Sequence, residues 1–201
     1  MRILLTNDDG IDAPGLAALY RAIESLGDVH VIAPKLVQSA TSHAVTFHRP
    51  ISVEKSGLGH AVAGRPADCV KLGLRALIDE PVDLVISGMN SGANVGINVL
   101  YSGTVGAARE ANFNGIPAIA VSLHIGDWDH DLWVRAALLA RRTIDELVKG
   151  PLDGHTLLNV NVPVLDGGAA PIGVKVSTAS LSKLVVDYEP GTDEAGNTTY
   201  R

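Results

Sequence analysis

Two adjacent carboxylates, Asp8 and Asp9, directly follow a short apolar run near the start of the chain. The run Ile3-Leu4-Leu5 is typical of a buried strand, and Gly10 permits a turn just after the acidic pair. Because successive strand residues point to opposite faces, only a turn lets both carboxylates face one ligand. Turn chemistry would account for one aspartate, but neighbouring carboxylates repel each other unless a cation or a proton is bound. Oxygen ligands suit a hard ion, so the pair predicts a Mg²⁺ or Mn²⁺ site.

A long segment of small residues, 87–96, follows a second apolar run, 82–86, and carries Asn90 and Asn94. Connections in α/β units need only about two to six residues. An asparagine offers a carbonyl oxygen to a metal or an amide N–H to a phosphate, and glycines let backbone N–H groups approach an anion. The segment matches no fixed glycine fingerprint, so its residues alone leave a functional and a purely structural loop equally open.

A third candidate is Ser102-Gly103-Thr104, which begins a helical pattern that ends near Asn114. Ser102 is a suitable N-cap residue, and capping by itself would explain the motif. A helix N-terminus also binds phosphate readily, because its free N–H groups and its dipole both favour an anion. Two hydroxyl groups and a glycine at this place favour phosphate binding. Ser39 is the weakest candidate when taken alone, since a lone loop serine most often only bonds to its own backbone or to water.

Composition indicates a globular protein and excludes some classes of binding partner. The chain has 201 residues, 46% of them apolar, which is enough for one sizeable domain with its own core. The net charge of −6 argues against nucleic acid or an anionic membrane as the main partner. Cys69 is the single cysteine, so no intrachain disulfide forms, and neither a signal peptide nor a membrane-spanning apolar stretch is evident. We therefore expect a cytoplasmic protein.

Helical and strand-like segments alternate along the chain, which indicates how the candidate residues are positioned. Helical periodicity covers four segments, 14–26, 66–78, 102–114 and 131–149. The alternation predicts an α/β fold: a three-layer, doubly wound, Rossmann-like and mostly parallel sheet with helices on both faces. A small hairpin within 51–63 is also expected. We assign 1–186 to this domain and the polar extension 187–201 to an arm or loop.

Five motifs, in this order, resemble those of the SurE family, the survival-protein 5′-nucleotidases. They are Ile3-Leu4-Leu5-Thr6-Asn7-Asp8-Asp9-Gly10 with Ala13-Pro14-Gly15, Ala33-Pro34 with Gln38-Ser39-Ala40, Gly64-Arg65-Pro66-Ala67-Asp68-Cys69-Val70, Ser87-Gly88-Met89-Asn90-Ser91-Gly92, and Tyr101-Ser102-Gly103-Thr104-Val105. The likeness covers nearly the whole chain.

The resemblance implies a divalent-metal-dependent phosphomonoesterase that hydrolyses nucleoside 5′-monophosphates to nucleoside and phosphate, with 3′-monophosphates as a further candidate. It implies one Mg²⁺ or Mn²⁺ ion and assembly as a homodimer or homotetramer. The family's metal ligands match Asp8, Asp9, Ser39 and Asn90 here. Its phosphate-pocket residues match Asn94, Ser102, Gly103 and Thr104.

The sequence departs from the family pattern at positions that are not metal ligands. Lys35-Leu36 stand where Asp-Arg is usual, Ala40 where glycine is frequent, and Arg65 and Ala67 where threonines are frequent. These changes bear on loop shape and substrate preference. Family members also continue past the Tyr200 region with another strand and an assembly arm, whereas this sequence stops at Arg201, which leaves a fragment and a naturally short chain as alternatives.

Asp8 and Asp9 are the predicted catalytic residues, and two alternatives for the attacking group stay open. One is a water activated by the cation with an aspartate as its base. The other is Asp8 itself, which would form an aspartyl-phosphate. A different class of protein is a magnesium-dependent nucleotide-binding or receiver-like module without turnover. A receiver needs an aspartate and a lysine at later strand ends, and the segments 86–88 and 121–122 supply neither.

Overall fold

Strands alternate with helices through most of the computed structural model, which describes residues 1–124, 130–163, 169, 171–180, 182 and 187–200. The strands are β1 (Arg2–Thr6), β2 (Asp28–Pro34), β3 (Val53–Lys55), β4 (Gly59–Val62), β5 (Leu84–Ser91), β6 (Ala118–Leu123), β7 (Leu157–Val162), β8 (Pro190–Thr192) and β9 (Thr198–Tyr200). The helices are α1 (Pro14–Ile23), α2 (Pro66–Leu72), α3 (Asn98–Tyr101), α4 (Gly103–Phe113) and α5 (His130–Leu147). A 3₁₀ turn, Glu24–Leu26, follows α1, and a π-helical turn, Gly73–Leu77, follows α2.

The main sheet determines where a ligand can bind. Its strand order is β3-β4-β2-β1-β5-β6-β7, and every neighbouring pair is parallel except β3 with β4. The chain adds β2 on one side of β1 and later returns to add β5 on the other side. A crevice opens beyond the carboxyl ends of strands where the order reverses in this way, and ligands of open α/β sheets bind there. The residues after β1 and at the end of β5 face this crevice.

Two apolar layers cover the two faces of the sheet, which confirms the predicted three-layer, Rossmann-like α/β architecture. On one face α1 and α5 contribute the buried residues Leu16, Leu19, Ile23, Trp133, Ala137, Ala140 and Ile144. On the other face α2 and α4 contribute Cys69, Val70, Val105, Ala107, Ala108 and Ala111. Complete burial raises the pKa of the Cys69 thiol, so this cysteine is an unreactive part of the core.

Three local features differ from the predictions. The predicted hairpin forms, but β4 also pairs with β2, so the hairpin extends the main sheet. Strand β5 runs on to Ser91, because after a register shift Asn90 pairs with Ser122 of β6; the first half of the predicted loop 87–96 is therefore strand. Pairing with β6 outweighs the low strand propensity of these small residues. The short helix α3 was not predicted.

The C-terminal extension, which the sequence assigns to an arm or loop, contains two short strands. Within it, β8 and β9 form an antiparallel hairpin whose residues are all exposed. The last residues of the predicted domain, 183–186, lie outside the described residues, as do Arg201 and the first tryptophan, Trp128. Among the described residues, no helix is both long and apolar enough to cross a membrane.

Candidate active site

A cavity of about 320 Å³ opens at the switch point of the sheet and brings six of the predicted site residues together. These six are Asp8, Asp9, Ser39, Asn90, Asn94 and Ser102. The remaining lining residues are Ala40, Ser91, Gly92, Ala93, Asn98 and Tyr101. Three separate parts of the chain therefore meet at one edge of the sheet: the segment after β1, the segment after β2, and the stretch from the end of β5 to the start of α4.

Asp8 lies at the buried side of the cavity and is held by the start of α4. The Thr104 hydroxyl donates a hydrogen bond of 2.5 Å to Asp8 Oδ1, and Thr104 itself is fully buried. Burial is the main reason that the pKa of Asp8 is raised from 3.8 to about 6, and the nearby charge of Asp9 adds to it. Hydrogen bonds from Thr104 lower the pKa of Asp8 and so offset part of this shift.

Asp9 is half-buried beside the end of β5. The backbone N–H of Ser91 donates to Asp9 Oδ2 at 2.9 Å, while Oδ1 has no hydrogen-bond partner in the described part of the chain. Burial raises the pKa of Asp9, and the Ser91 N–H lowers it. Asn90 precedes Ser91, and its Nδ2 donates to the Gly92 carbonyl at 2.6 Å. This bond directs the amide nitrogen away and leaves Asn90 Oδ1 available to a ligand.

Ser39 reaches the cavity on a segment anchored at several points. The Gln38 N–H donates to the Asp8 carbonyl at 2.7 Å, and the Thr41 hydroxyl donates to the Gln38 carbonyl at 2.8 Å. Between them, Ala40 has a φ of 56°, a left-handed conformation that favours glycine. Further along, the Ser42 N–H donates to the Tyr101 carbonyl at 2.9 Å. The Ser39 hydroxyl makes no hydrogen bond within the described residues.

The same segment is also fastened to α4. His43 Nε2 lies 2.8 Å from Glu110 Oε2, and the His43 ring packs against the ring of Phe113 at a centroid distance of 5.2 Å. Gly106 of α4 lies so close to this segment that a Cβ there would come within 2.3 Å of the Ser42 carbonyl oxygen. The absence of a side chain at Gly106 therefore lets the segment dock on the helix.

Asn94 is the most firmly held residue of the cavity wall. Its backbone N–H donates to Asn161 Oδ1 at 2.9 Å, and its carbonyl accepts hydrogen bonds from Asn159 Nδ2 and Asn161 Nδ2. Its own Nδ2 donates to the Ser122 hydroxyl at 2.8 Å. Side chains from β6 and β7 thus fix both the backbone and the amide of Asn94.

The start of α4 faces the two carboxylates, but its three predicted residues occupy different positions. Ser102 caps the helix by accepting the Val105 N–H at 3.1 Å, and it lines the cavity. Gly103 packs so tightly that a Cβ would come within 2.9 Å of the Asp8 carboxylate. Thr104 lies behind Asp8 and not on the cavity wall. Its side chain therefore contacts the acidic pair from behind.

The donor set fits a divalent cation. Asp8 is buried and Asp9 is half-buried. No Lys, Arg or His of the described residues forms an ion pair with either of them. Uncompensated carboxylates of this kind are costly without a cation. Asp9 Oδ1, Asn90 Oδ1 and the Ser39 hydroxyl are oxygen atoms left without an internal hydrogen bond, and hard cations take such oxygen ligands.

Comparison with known proteins identifies the family. A family model described as "Survival protein SurE" matches residues 3–184. The chain belongs to the SurE family. It is 47% identical to the 5′-nucleotidase SurE of Rhodopirellula baltica over 206 residues, which cover 100% of this chain and 80% of that protein. It is 49% identical to the 5′-nucleotidase SurE of Syntrophus aciditrophicus, covering 96% of this chain and 73% of that protein. The crystal structure of the SurE protein from Aquifex aeolicus superposes with a TM-score of 0.86 at 34% identity, covering 100% of this chain and 81% of that one.

SurE membership confirms the resemblance inferred from the motifs, but some residues at the site were not singled out from the sequence. Tyr101 and Asn98 line the cavity, and Asn159 and Asn161 hold Asn94. A signal for the second pair exists: two asparagines separated by one residue lie on the same face of a strand. Polar side chains repeated at that spacing in an otherwise apolar strand indicate a polar contact on that face.

Proposed function

We propose that this SurE protein is a divalent-metal-dependent 5′-nucleotidase that hydrolyses nucleoside 5′-monophosphates, and we include 3′-monophosphates among its candidate substrates. The observation that carries the proposal is that a buried carboxylate, Asp8, and a half-buried one, Asp9, face the N-terminus of α4 across one cavity, and no cationic side chain of the described residues pairs with either. The first feature suits a cation and the second suits a phosphate. The names of the relatives, 5′-nucleotidase SurE, support the same reaction for this chain.

Asp8, Asp9, Ser39 and Asn90 are the residues that would hold one Mg²⁺ or Mn²⁺ ion. When bound, the cation would act as a Lewis acid that stabilises negative charge on the phosphoryl oxygens. The roles of the chain's own groups follow from their contacts. Thr104 fixes the Asp8 carboxylate through its hydroxyl, and the Ser91 N–H fixes that of Asp9, so both aspartates enter the reaction with a set orientation.

Ser102, Asn94 and the backbone of Gly103 and Thr104 are the groups that we assign to the phosphate. The first N–H groups of a helix have no partners within the helix and are directed at an anion beyond its N-terminus. Donors that are held in place before the reaction stabilise developing charge without having to reorganise. The four bonds that fix Asn94 supply that rigidity on the opposite wall.

The attack itself has two alternatives. Asp9 has an unpaired Oδ1 that would accept the proton of an attacking water. Alternatively, Asp8 attacks phosphorus directly, the bond from phosphorus to the ester oxygen breaks and that oxygen takes a proton from solvent water, and a second water then cleaves the aspartyl-phosphate to aspartate and phosphate. Borohydride reduction of rapidly quenched enzyme separates them, because it converts an aspartyl-phosphate to homoserine at position 8. A water mechanism leaves Asp8 unchanged under the same treatment.

Phosphate release from AMP, assayed with Mn²⁺ and with a chelator, tests the proposed function. We expect release that depends on the cation and is abolished in Asp8→Asn. Asp12→Asn is the matched control, because Asp12 is an exposed carboxylate four residues away that does not line the cavity. Binding of AMP without release of phosphate under any divalent cation would instead indicate a nucleotide-binding module. Full activity in Asp8→Asn would refute the metal assignment.

Location and assembly are further proposals. We propose a cytoplasmic location, which the single, buried cysteine favours because it needs no oxidising compartment. We also propose assembly as a homodimer or homotetramer, as the family resemblance implies. Size-exclusion chromatography with light scattering measures the assembly directly, and a monomer at micromolar concentration would contradict it.

A further inference from the structure

The residues at the floor of the cavity are buried, whereas residues at its rim are exposed. Asp8, Asn94 and Ser102 at the floor are all buried. Tyr101 at the rim is 57% exposed, and its sequence neighbour Leu100 is 46% exposed. A phosphomonoester whose phosphate binds at the polar floor therefore directs the rest of the molecule towards a rim that includes the exposed Tyr101 ring.

Tyr101 is the single aromatic residue among the described residues that line the cavity. Its ring makes no aromatic contact, and its hydroxyl makes no hydrogen bond, with any other residue that the structure describes. A large exposed ring is a good surface for stacking because tyrosine loses little conformational freedom when it binds a ligand. The ring is thus available at the place where the organic part of a substrate leaves the cavity.

The backbone that carries the ring is rigid. The Tyr101 carbonyl accepts the Ser42 N–H at 2.9 Å, and the Leu100 carbonyl accepts the Ser42 hydroxyl at 2.7 Å. The Ser102 N–H donates to the Asn98 carbonyl at 3.0 Å, which fixes the other side of Tyr101. Tyr101 directly precedes Ser102, and both residues line the cavity. The ring is therefore next to the proposed phosphate subsite.

We propose that the Tyr101 ring is the platform on which the nucleobase of the substrate stacks. The site then selects nucleoside monophosphates over sugar phosphates that lack a base, and it tolerates different bases because every base has a π-face. This inference rests on the proposed phosphatase function and adds a specificity-determining residue to it.

The test compares AMP with ribose 5-phosphate, which carries the same phosphoester without a base. In Tyr101→Ala, we expect the ratio of kcat/KM for AMP to that for ribose 5-phosphate to fall by roughly 5- to 150-fold, the range of aromatic–base stacking. The change should lie mainly in KM for AMP. Tyr101→Phe keeps the ring and should restore the ratio to within about twofold of the unaltered chain. Phe47→Ala removes an aromatic ring that is 79% exposed and lies outside the cavity, so it serves as the control.

Several results would overturn the inference. Equal losses of kcat/KM for AMP and ribose 5-phosphate would leave the ratio unchanged. That result would exclude stacking and would mean that Tyr101 supports the site without touching the base. A loss in Tyr101→Phe as large as in Tyr101→Ala would assign the effect to the hydroxyl. Calorimetric binding of both compounds provides the same comparison without turnover. A chain that binds AMP more tightly than ribose 5-phosphate through Tyr101, yet releases no phosphate, would refute the proposed function and leave the stacking inference standing.

Discussion

Asp8→Asn should stabilise the metal-free protein while it abolishes activity. The folded-state pKa of Asp8, about 6, exceeds its ordinary value of 3.8, so the folded chain holds the Asp8 proton more tightly than the unfolded chain. The stabilisation by that proton is complete below about pH 4 and is lost as the pH rises to about 6. Above this window the charged carboxylate costs the folded state up to about 3 kcal/mol. The variant removes the charge and keeps an amide oxygen that can accept the hydrogen bond from the Thr104 hydroxyl.

In chelator at pH 7.5 we therefore expect the free energy of unfolding of Asp8→Asn to exceed that of the unaltered chain by roughly 1–3 kcal/mol. For a chain of this length that corresponds to an increase of roughly 2–12 °C in Tm. Urea unfolding measures the change in free energy, and thermal unfolding measures the change in Tm. Asp12→Asn is the control and should not change stability by more than about 0.5 kcal/mol. Mn²⁺ should raise the Tm of the unaltered chain and not that of Asp8→Asn. A lower Tm for Asp8→Asn in chelator, or an equal gain from Mn²⁺ in both chains, would refute the reasoning.

Three further predictions concern the segment that carries Ser39. Ala40→Gly should stabilise the protein by about 1 kcal/mol in urea unfolding, because Ala40 has a φ of 56°; destabilisation would contradict this. Gly106→Ala should lower Tm and weaken Mn²⁺ activation, since its Cβ would press on the Ser42 carbonyl oxygen and cost about 1–3 kcal/mol; Tm and activation equal to those of the unaltered chain would show that the segment docks differently. Glu110→Ala should raise the Mn²⁺ concentration for half-maximal activity by removing the His43 contact, and an unchanged value would mean that this contact does not position Ser39.

The fold followed from the sequence because local pattern and tertiary pairing agree over most of the chain. The runs that form β1 and β6 are apolar and short, and α5 has a clear amphipathic period, so their types could be predicted. The end of β5 could not be predicted, because Gly88 to Ser91 have low strand propensity and only pairing with β6 makes them strand.

The membership of the site was easier to predict than the orientation of its side chains. Asp8 follows β1 and Asn90 lies at the end of β5, and these two strands are neighbours, so the switch-point rule brings the two residues together. Thr104 lies two residues after Ser102 of the cavity wall, and the sequence spacing does not show whether its hydroxyl faces the ligand or Asp8, because that depends on packing. Asn159 lies even further along the chain, and its role depends on a contact between β7 and the segment after β5.

The hydrogen bond between Thr104 and Asp8 has a thermodynamic consequence. It joins the first turn of the helix assigned to the phosphate directly to a carboxylate assigned to the cation. Two ligands that meet across such a shared wall affect each other's binding equilibria, and that coupling is reciprocal. Because the two ligands carry opposite charges, cation and phosphate should bind synergistically: whatever factor Mn²⁺ adds to the affinity for a phosphate monoester, the monoester must add to the affinity for Mn²⁺. The hydrogen bond of Thr104 to Asp8 is a contact that both proposed binding sites share.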